Sequence, residues 1–381
     1  VISCAYFNAG VCRSCTRIEQ PYADQLAAKQ ARCATALAEF SRIEWRPPVA
    51  SAERAFRNKA KMVVTGSAHA PVLGILDGTD GVGGVDLTGC PLYPPAIGQA
   101  FAPIKDFIVA ARLSPYDIRR RRGELKHVLL TASDQDGHLM LRFVLRSTAC
   151  LPAIRAELPR LLAALPNLTV VSANIQPIHQ AIIEGPEEIP LTEEQTLTMV
   201  LNDIPLRVRP RSFFQTNSVV AARLYATARD WIAEMAPSGL WDLFCGVGGF
   251  ALHAAEVIDG PVAGIEVSAE AIASAEASAR QLGYAQVDFR ALDADEFVRG
   301  RTDVPPLVVV NPPRRGLGPE LCDFLADSSA QGLIYSSCNP DSLARDLRRL
   351  SGFVPERAQM FDIFPHTDHC EVLVLLVRQA D

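Results

Sequence analysis

The chain has 381 residues, 49% of them hydrophobic and 21% charged, with a formal net charge of -6 at pH 7. That length exceeds what one core usually organises and implies two domains. The acidic balance excludes wholesale coating of nucleic acid, and the lack of an apolar run of about 20 residues or of a basic, apolar leader points to a globular cytoplasmic protein without a membrane partner.

In chain order, the start "VISCAYFNAGVCRSC" holds Cys4, Cys12 and Cys15, and Cys90 stands far downstream in "GCPLYPP". Ten cysteines with no disulfide-scaffold spacing suggest reduced thiols, a metal site or catalysis. One CxxC with two outlying cysteines serves zinc or an iron–sulfur cluster equally well, and Cys-Pro at the last position leans towards the cluster. Cys33, Cys150, Cys245 and Cys322 have no partner pattern and are expected to be buried thiols.

Residues 22 to 40 have helical periodicity, which "EWRPPVA" breaks. From about 60 to 209 come short β-rich runs, "KMVVTG", "HVLLTAS", "LMLRFVLR", "LTVVSANIQ" and "QAIIEG", with one helical piece at 151 to 165. This predicts an α+β region of mainly antiparallel character. Positive charge gathers in "FRNKAK" (56–61), "RRRR" (119–122) and "RVRPR" (207–211). Such runs are solvated faces or contacts to phosphate.

After about residue 210 strand and helix signals alternate, from "GLWDLF" through "AEAIASAEASARQL", "PPLVVV" and "GLIYSS" to "EVLVLLVR". Alternation predicts a doubly wound α/β sheet with ligands at the carboxyl ends of its strands. The expected division is therefore residues 1–204, a cysteine-bearing α+β region, and residues 205–381, the α/β domain.

"DLFCGVGGFALHAA" places Gly246, Gly248 and Ala251 between a strand and a helix, and Glu266 ends the next strand. A glycine turn with a distal carboxylate fits a dinucleotide or S-adenosylmethionine (SAM) equally. "LVVVNPPRRG" decides for SAM: hydride transfer has no use for a rigid Asn-Pro-Pro after Asn311, whereas such turns recur in methyltransferases acting on bases.

Cys338, in "LIYSSCNPDS", directly follows the fifth strand of that sheet and should open onto the same crevice. Asn339 and Pro340 read as N-cap and first residue of a helix, so its dipole, helped by Arg314 and Arg315, is expected to favour thiolate. A thiolate beside a methyl donor suits conjugate addition to C6 of a pyrimidine, which makes C5 nucleophilic. The C5 proton must then leave to a base, and Glu371 in "FPHTDHCEVLVLL" is placed for it. By alternation Cys370 points away.

"SFFQTN", "DLFCGVGGF", "GIEVS", "NPPRRG", "YSSCNP" and "FPHTDHCEVL", in this order, resemble the RNA (uracil-C5-)methyltransferase family. The resemblance implies a Rossmann-like class I SAM-dependent methyltransferase domain, with Cys338 as nucleophile and Glu371 as base. It also implies that Gln215, Phe244, Glu266 and Asn311 hold SAM and that Asp293 lies near the adenine. Many relatives have Asp where this chain has Asn311, and an amide cannot act as a base. For Cys4, Cys12, Cys15 and Cys90 it implies a [4Fe-4S] cluster, a feature of members acting on ribosomal RNA. With three residues before Cys4, the N-terminal β-barrel of many relatives is expected to be absent. The pattern is that of the shorter bacterial form acting on uridine 747 of 23S rRNA. Arg57, Lys59, Lys61 and the 119–122 arginines are then expected to grip single-stranded RNA, with no obligate protein partner. Two rival readings are an iron–sulfur oxidoreductase with a nicotinamide cofactor and a non-catalytic RNA-binding protein. Both leave Cys338 and Glu371 without a task.

Overall fold

The structure, a computed structural model, describes residues 1–77 and 83–379. Its elements begin with α1 (Ala5–Asn8), α2 (Tyr22–Ala36) and β1 (Glu44–Trp45). An α+β stretch follows: β2 (Lys59–Ser67), β3 (Ala70–Leu76), β4 (Gly84–Asp86), α3 (Pro95–Ala110), β5 (Leu125–Ala132), β6 (Leu139–Leu145), α4 (Leu151–Ala164), β7 (Leu168–Ile175) and β8 (Glu187–Pro190). The hairpin β9 (Leu197–Leu201) and β10 (Ile204–Val208) leads to α5 (Ser218–Met235). Then come β11 (Leu240–Leu243), α6 (Gly249–Ala254), β12 (Val262–Glu266), α7 (Ala269–Leu282), β13 (Val287–Ala291), α8 (Ala294–Val298) and β14 (Leu307–Val310). The chain closes with α9 (Pro319–Asp327), β15 (Gly332–Ser337), α10 (Pro340–Arg349), β16 (Phe353–Phe361) and β17 (Glu371–Arg378). Among the described residues no helix is long and apolar enough to cross a membrane.

Two compact units form, and their division differs from 1–204 and 205–381. One unit joins Ile2–Cys15 to Glu53–Met199, while Thr16–Ala52 belongs with Val200–Asp381.

In the first unit a sheet of order β4-β3-β2-β5-β6-β7-β8 is antiparallel except for the β6–β7 pair. Along β2 Ala60, Met62 and Val64 are buried and alternate with Lys59, Lys61 and Val63, so one face meets the core. Against it pack Ile97, Phe101, Ile104 and Ile108 of α3 and Ile154 and Leu161 of α4. The sequence reading did not name α3, because Pro103 lies inside it. "QAIIEG" forms no strand either; Ile182 is 53% exposed on a loop.

The second unit carries a sheet of order β1-β16-β17-β15-β14-β11-β12-β13. Strands β11 to β15 run parallel, and β17 is inserted antiparallel between β15 and β16. Val308, Val310, Leu333 and Tyr335 on neighbouring strands are fully buried, which is why these runs are continuously apolar. The helix α5 was absent from the sequence reading, yet Val220, Leu224, Ala228 and Trp231 bury one face of it behind the Asn217 cap.

Candidate active site

Strand order reverses between β11 and β14, so the crevice beyond their carboxyl ends is the ligand position of a doubly wound sheet. At the end of β11 Phe244 turns the chain with φ +66°, a left-handed conformation that costs a non-glycine residue about 1–3 kcal/mol. Gly246 and Gly248 continue at φ +55° and +87°. A Cβ on Gly248 would lie 2.8 Å from Phe289 Cζ, so glycine is required there by both strain and space.

Glu266 sits at the mouth of this loop. Gly246 N–H donates to its Oε2 at 3.2 Å and Ser268 N–H to its Oε1 at 3.0 Å. Beneath the loop, Asp242 is fully buried; Oδ2 accepts from Ala251 N–H at 2.9 Å, while Oδ1 has no hydrogen-bond partner among the described residues. Burial pushes its carboxyl up to about 8. Asn311 ties β14 to β11 through its N–H and Leu243 O at 3.2 Å. Gln215 is buried in the stretch before α5, and Asp293 caps α8 through Asp295 N–H at 2.9 Å.

Cys338 and Glu371 come together at the other side of the crevice. The antiparallel register of β15 with β17 ends at Ser337↔Val372, and the next residue, Cys338, lies within electrostatic reach of Glu371, the first residue of β17. Glu371 is 3% exposed, and Ser336 Oγ–H donates to its Oε1 at 2.6 Å. Burial raises this carboxyl to about 7, Ser336 pulls it down and Cys370 pushes it further up. A group titrating there is suited to take a proton near neutral pH.

The thiol of Cys338 behaves otherwise than its helix position suggests. Asn339 does cap α10, its Oδ1 accepting from Asp341 N–H at 3.2 Å, and Pro340 is the first helical residue. Yet the thiol is raised, first by burial and then by Glu371; Arg314 pulls the other way. Burial and the Glu371 carboxylate raise the thiol against the lowering by Arg314 and by a backbone hydrogen bond. Sequence reasoning missed Ser336, which lies near the end of β15, two residues before Cys338. It also missed Tyr225, a buried phenol of α5 raised by burial, Asp242 and Glu371.

The loop leading to Glu371 is clamped by α2. Lys29 Nζ–H donates to Asp362 Oδ1 at 2.6 Å and to Phe364 O at 2.9 Å, and Tyr22 O–H donates to Asp362 Oδ2 at 2.8 Å. His366 N–H donates to Gln25 Oε1 at 2.9 Å, and Asn217 Nδ2–H to Ile363 O at 3.3 Å. Cys370 faces away from the crevice, its Sγ 3.5 Å from that of buried Cys33. These contacts explain why Thr16–Ala52 belongs with the catalytic unit. Cys245 and Cys322 are buried as expected, whereas Cys150 is half-buried.

In the other unit Cys4, Cys12, Cys15 and Cys90 are half-buried neighbours. Burial, then Cys90, Cys12 and Cys4, push the Cys15 thiol up to about 12, and burial, Cys4 and Cys12 raise Cys90. Among the described residues no three such side chains converge on one ion. Arg57, expected at an RNA surface, faces this group: its charge opposes the rise of Cys15 and Cys90, and Nε–H donates to Lys59 O at 3.1 Å. Lys59 is half-buried and lowered to about 8 by burial, while Lys61 is exposed.

The strand order, the glycine turn with its distal carboxylate and the crevice at the switch point define a class I SAM-dependent methyltransferase domain. The family model of tRNA (uracil-5-)-methyltransferases matches residues 192–379. The chain is 58% identical over 98% of its length to the 23S rRNA (uracil(747)-C(5))-methyltransferase RlmC of Halothiobacillus neapolitanus, covering 99% of that protein. It is 53% identical over 99% of its length to RlmC of Escherichia coli K12, covering all of it. The structure of Pyrococcus abyssi tRNA (uracil-54, C5)-methyltransferase in complex with S-adenosyl-L-homocysteine superposes with a TM-score of 0.79, at 22% identity, over 96% of this chain and 86% of that one. The chain belongs to the 23S rRNA uracil-C5 methyltransferase family.

Proposed function

We propose that this chain methylates C5 of a uridine in 23S rRNA, uridine 747 as in its relatives, with Cys338 as nucleophile and Glu371 as base. The observation that carries the reading is the proximity of Cys338, which follows β15, to the buried Glu371 carboxyl, raised to about 7, at the start of β17.

The thiolate form of Cys338 adds through Sγ to C6 of the flipped uracil, and the C5=C6 electron pair moves towards C5 and the O4 carbonyl. SAM, when bound, would supply the electrophilic methyl that C5 accepts, its sulfonium becoming the neutral thioether S-adenosylhomocysteine. Glu371 takes the C5 proton, the double bond re-forms, and Cys338 departs as thiolate. The residues fit that donor: Glu266 is oriented at the rim of the glycine loop, and Asp242 offers an orphaned carboxyl oxygen below it. Phe244, Gln215 and Asn311 complete the proposed binding set. The nicotinamide reading leaves Cys338 and Glu371 idle.

Cys4, Cys12, Cys15 and Cys90 are proposed to hold a [4Fe-4S] cluster. Four neighbouring thiols with a guanidinium nearby are a donor set suited to its iron atoms and net negative charge. Bound there, it would tie the N-terminal segment to the Cys90 loop. Anaerobic purification should give a brown chain, and Cys15→Ser should bleach it.

The test of the activity is methylation of 23S rRNA from a strain lacking the modification, with the product nucleotide mapped. Label at C5 of uridine 747 with wild type and none with Cys338→Ala is expected. Full activity of Cys338→Ala overturns the mechanism.

A further inference from the structure

Two segments of the α+β unit, a basic hairpin tip and an apolar loop, stand side by side. In the hairpin, Asp117 N–H donates to Arg122 O at 2.7 Å and Tyr116 N–H to Leu125 O at 2.8 Å. Asp117 Oδ1 accepts from Arg120 N–H at 2.8 Å, which ties the tip back on itself. Gly123 permits the return, since a Cβ there would lie 2.0 Å from Pro115 O. Arg119, Arg120, Arg121 and Arg122 are all exposed on this tip, four guanidinium groups against the carboxylate of Asp117.

The neighbouring loop, residues 177–182, is exposed throughout but firmly anchored. Lys126 Nζ–H donates to Ile178 O at 2.8 Å, and Gln176 Nε2–H donates to Ile182 O at 2.9 Å. Both anchors are buried, at 7% and 1% exposure. Tyr116 joins the two segments: its hydroxyl is 3.0 Å from His179 Nδ1, the rings lie 6.1 Å apart, and Lys126 covers the Tyr116 face at 4.8 Å. Among the described residues the large exposed isoleucines are Ile118, Ile178 and Ile182, and all three lie on these segments. A chain that buries its other isoleucines at least in part has placed these beside four arginines.

We infer that the tip Asp117–Arg122 and the loop 177–182 form one platform for unpaired nucleotides of the RNA substrate. Guanidinium groups neutralise the backbone, while the exposed side chains of Ile178 and Ile182 with the imidazole of His179 offer a partly apolar, sequence-tolerant surface to unstacked bases. The charge is complementary to phosphate in a chain that is acidic overall. The inference rests on the RNA methyltransferase reading and adds where the RNA is held.

The test uses the full chain and deproteinised, unmodified 23S rRNA. Wild-type methylation of that RNA is the condition for the functional reading itself, and its failure refutes that reading rather than the platform. Given it, Arg119, Arg120, Arg121 and Arg122→Gln together should raise KM for RNA about tenfold or more with kcat unchanged, and flatten the log–log salt dependence by about 0.7 per lost phosphate contact. Ile178→Ser with Ile182→Ser should raise KM without changing the salt slope, whereas Ile182→Trp, with a larger stacking face, should lower it. SAM affinity should not move in any of them. Unchanged KM across these variants overturns the inference. So does a defect confined to ribosomal particles with naked RNA normal, which would assign the surface to a protein.

Discussion

Ser336 Oγ–H donates to Glu371 Oε1 at 2.6 Å, and both side chains are buried. The hydrogen bond favours the ionised carboxylate against the desolvation that raises it to about 7. Ser336→Ala should therefore move the acid limb of kcat upwards. A hydrogen bond to a charged group is worth about 1.5–3 kcal/mol, so the limb should shift by about one to two pH units. Turnover at pH 7 should fall about tenfold or more and recover in alkaline buffer, where the base regains its charge. A uniform loss at all pH values would mean that Ser336 only packs.

Glu371→Gln removes the proposed base while leaving Cys338, the proposed nucleophile, free to add to C6. The variant should accumulate a denaturant-resistant protein–RNA adduct on gels, and Cys338→Ala should not. Stability gives a second readout. The native carboxyl titrates near 7 against an ordinary value of 4.5, so the native state binds more protons than the unfolded state between those values. Stability then falls as pH rises through that window and stays lower above it. Glu371→Gln should remove the decline, with a relative gain at pH 8 on the order of 2–3 kcal/mol in denaturant titrations.

Arg314 is the cation that opposes burial and Glu371 at the Cys338 thiol. Arg314→Gln should raise that thiol further, and each added pKa unit cuts the thiolate at neutral pH about tenfold. The readout is alkylation of the peptide carrying Cys338, followed by mass spectrometry across pH without RNA. The rising limb should shift to higher pH in Arg314→Gln and stay near wild type in Arg314→Lys. Superimposed profiles for all three would remove Arg314 from the site's electrostatics.

What the sequence made legible was local. The helix Ala269–Leu282 and the Asn339-Pro340 start of α10 were readable because period, cap and proline act within a few residues. The adjacency of β11, β14 and β15, whose ends carry the glycine turn, Asn311 and Cys338, followed from alternation; the antiparallel insertion of β17 between β15 and β16 did not. What escaped was decided by partners distant in sequence. Lys29 meets Asp362 across 333 positions, so nothing in residues 16–52 announced that they belong with the catalytic unit. The direction of the Cys338 thiol also turns on distant partners: burial and the Glu371 carboxylate of β17 raise it, and a rule for helix N-termini includes neither. In α3 a clear helical burial pattern was masked by Pro103, which tertiary packing tolerates.

The Lys29–Asp362 pair has side chains only 2% and 0% exposed, so each charge depends on the other. Lys29→Met leaves a carboxylate buried beside one phenol and should cost about 3–5 kcal/mol in urea unfolding. Asp362→Leu should cost a similar amount by stranding the ammonium. Because each single loss comes from stranding the partner's charge and the double variant strands neither, Lys29→Met with Asp362→Leu should be no less stable than either alone, a coupling of about 2 kcal/mol or more. The loop from Asp362 to Glu371 is held by this pair and by Phe364 O, so the double variant should also lose kcat while keeping its affinity for SAM. Strictly additive costs would show that the two charges do not depend on each other. Unchanged kcat in the double variant would show that the clamp serves folding and leaves the placement of the base to β15 and β17.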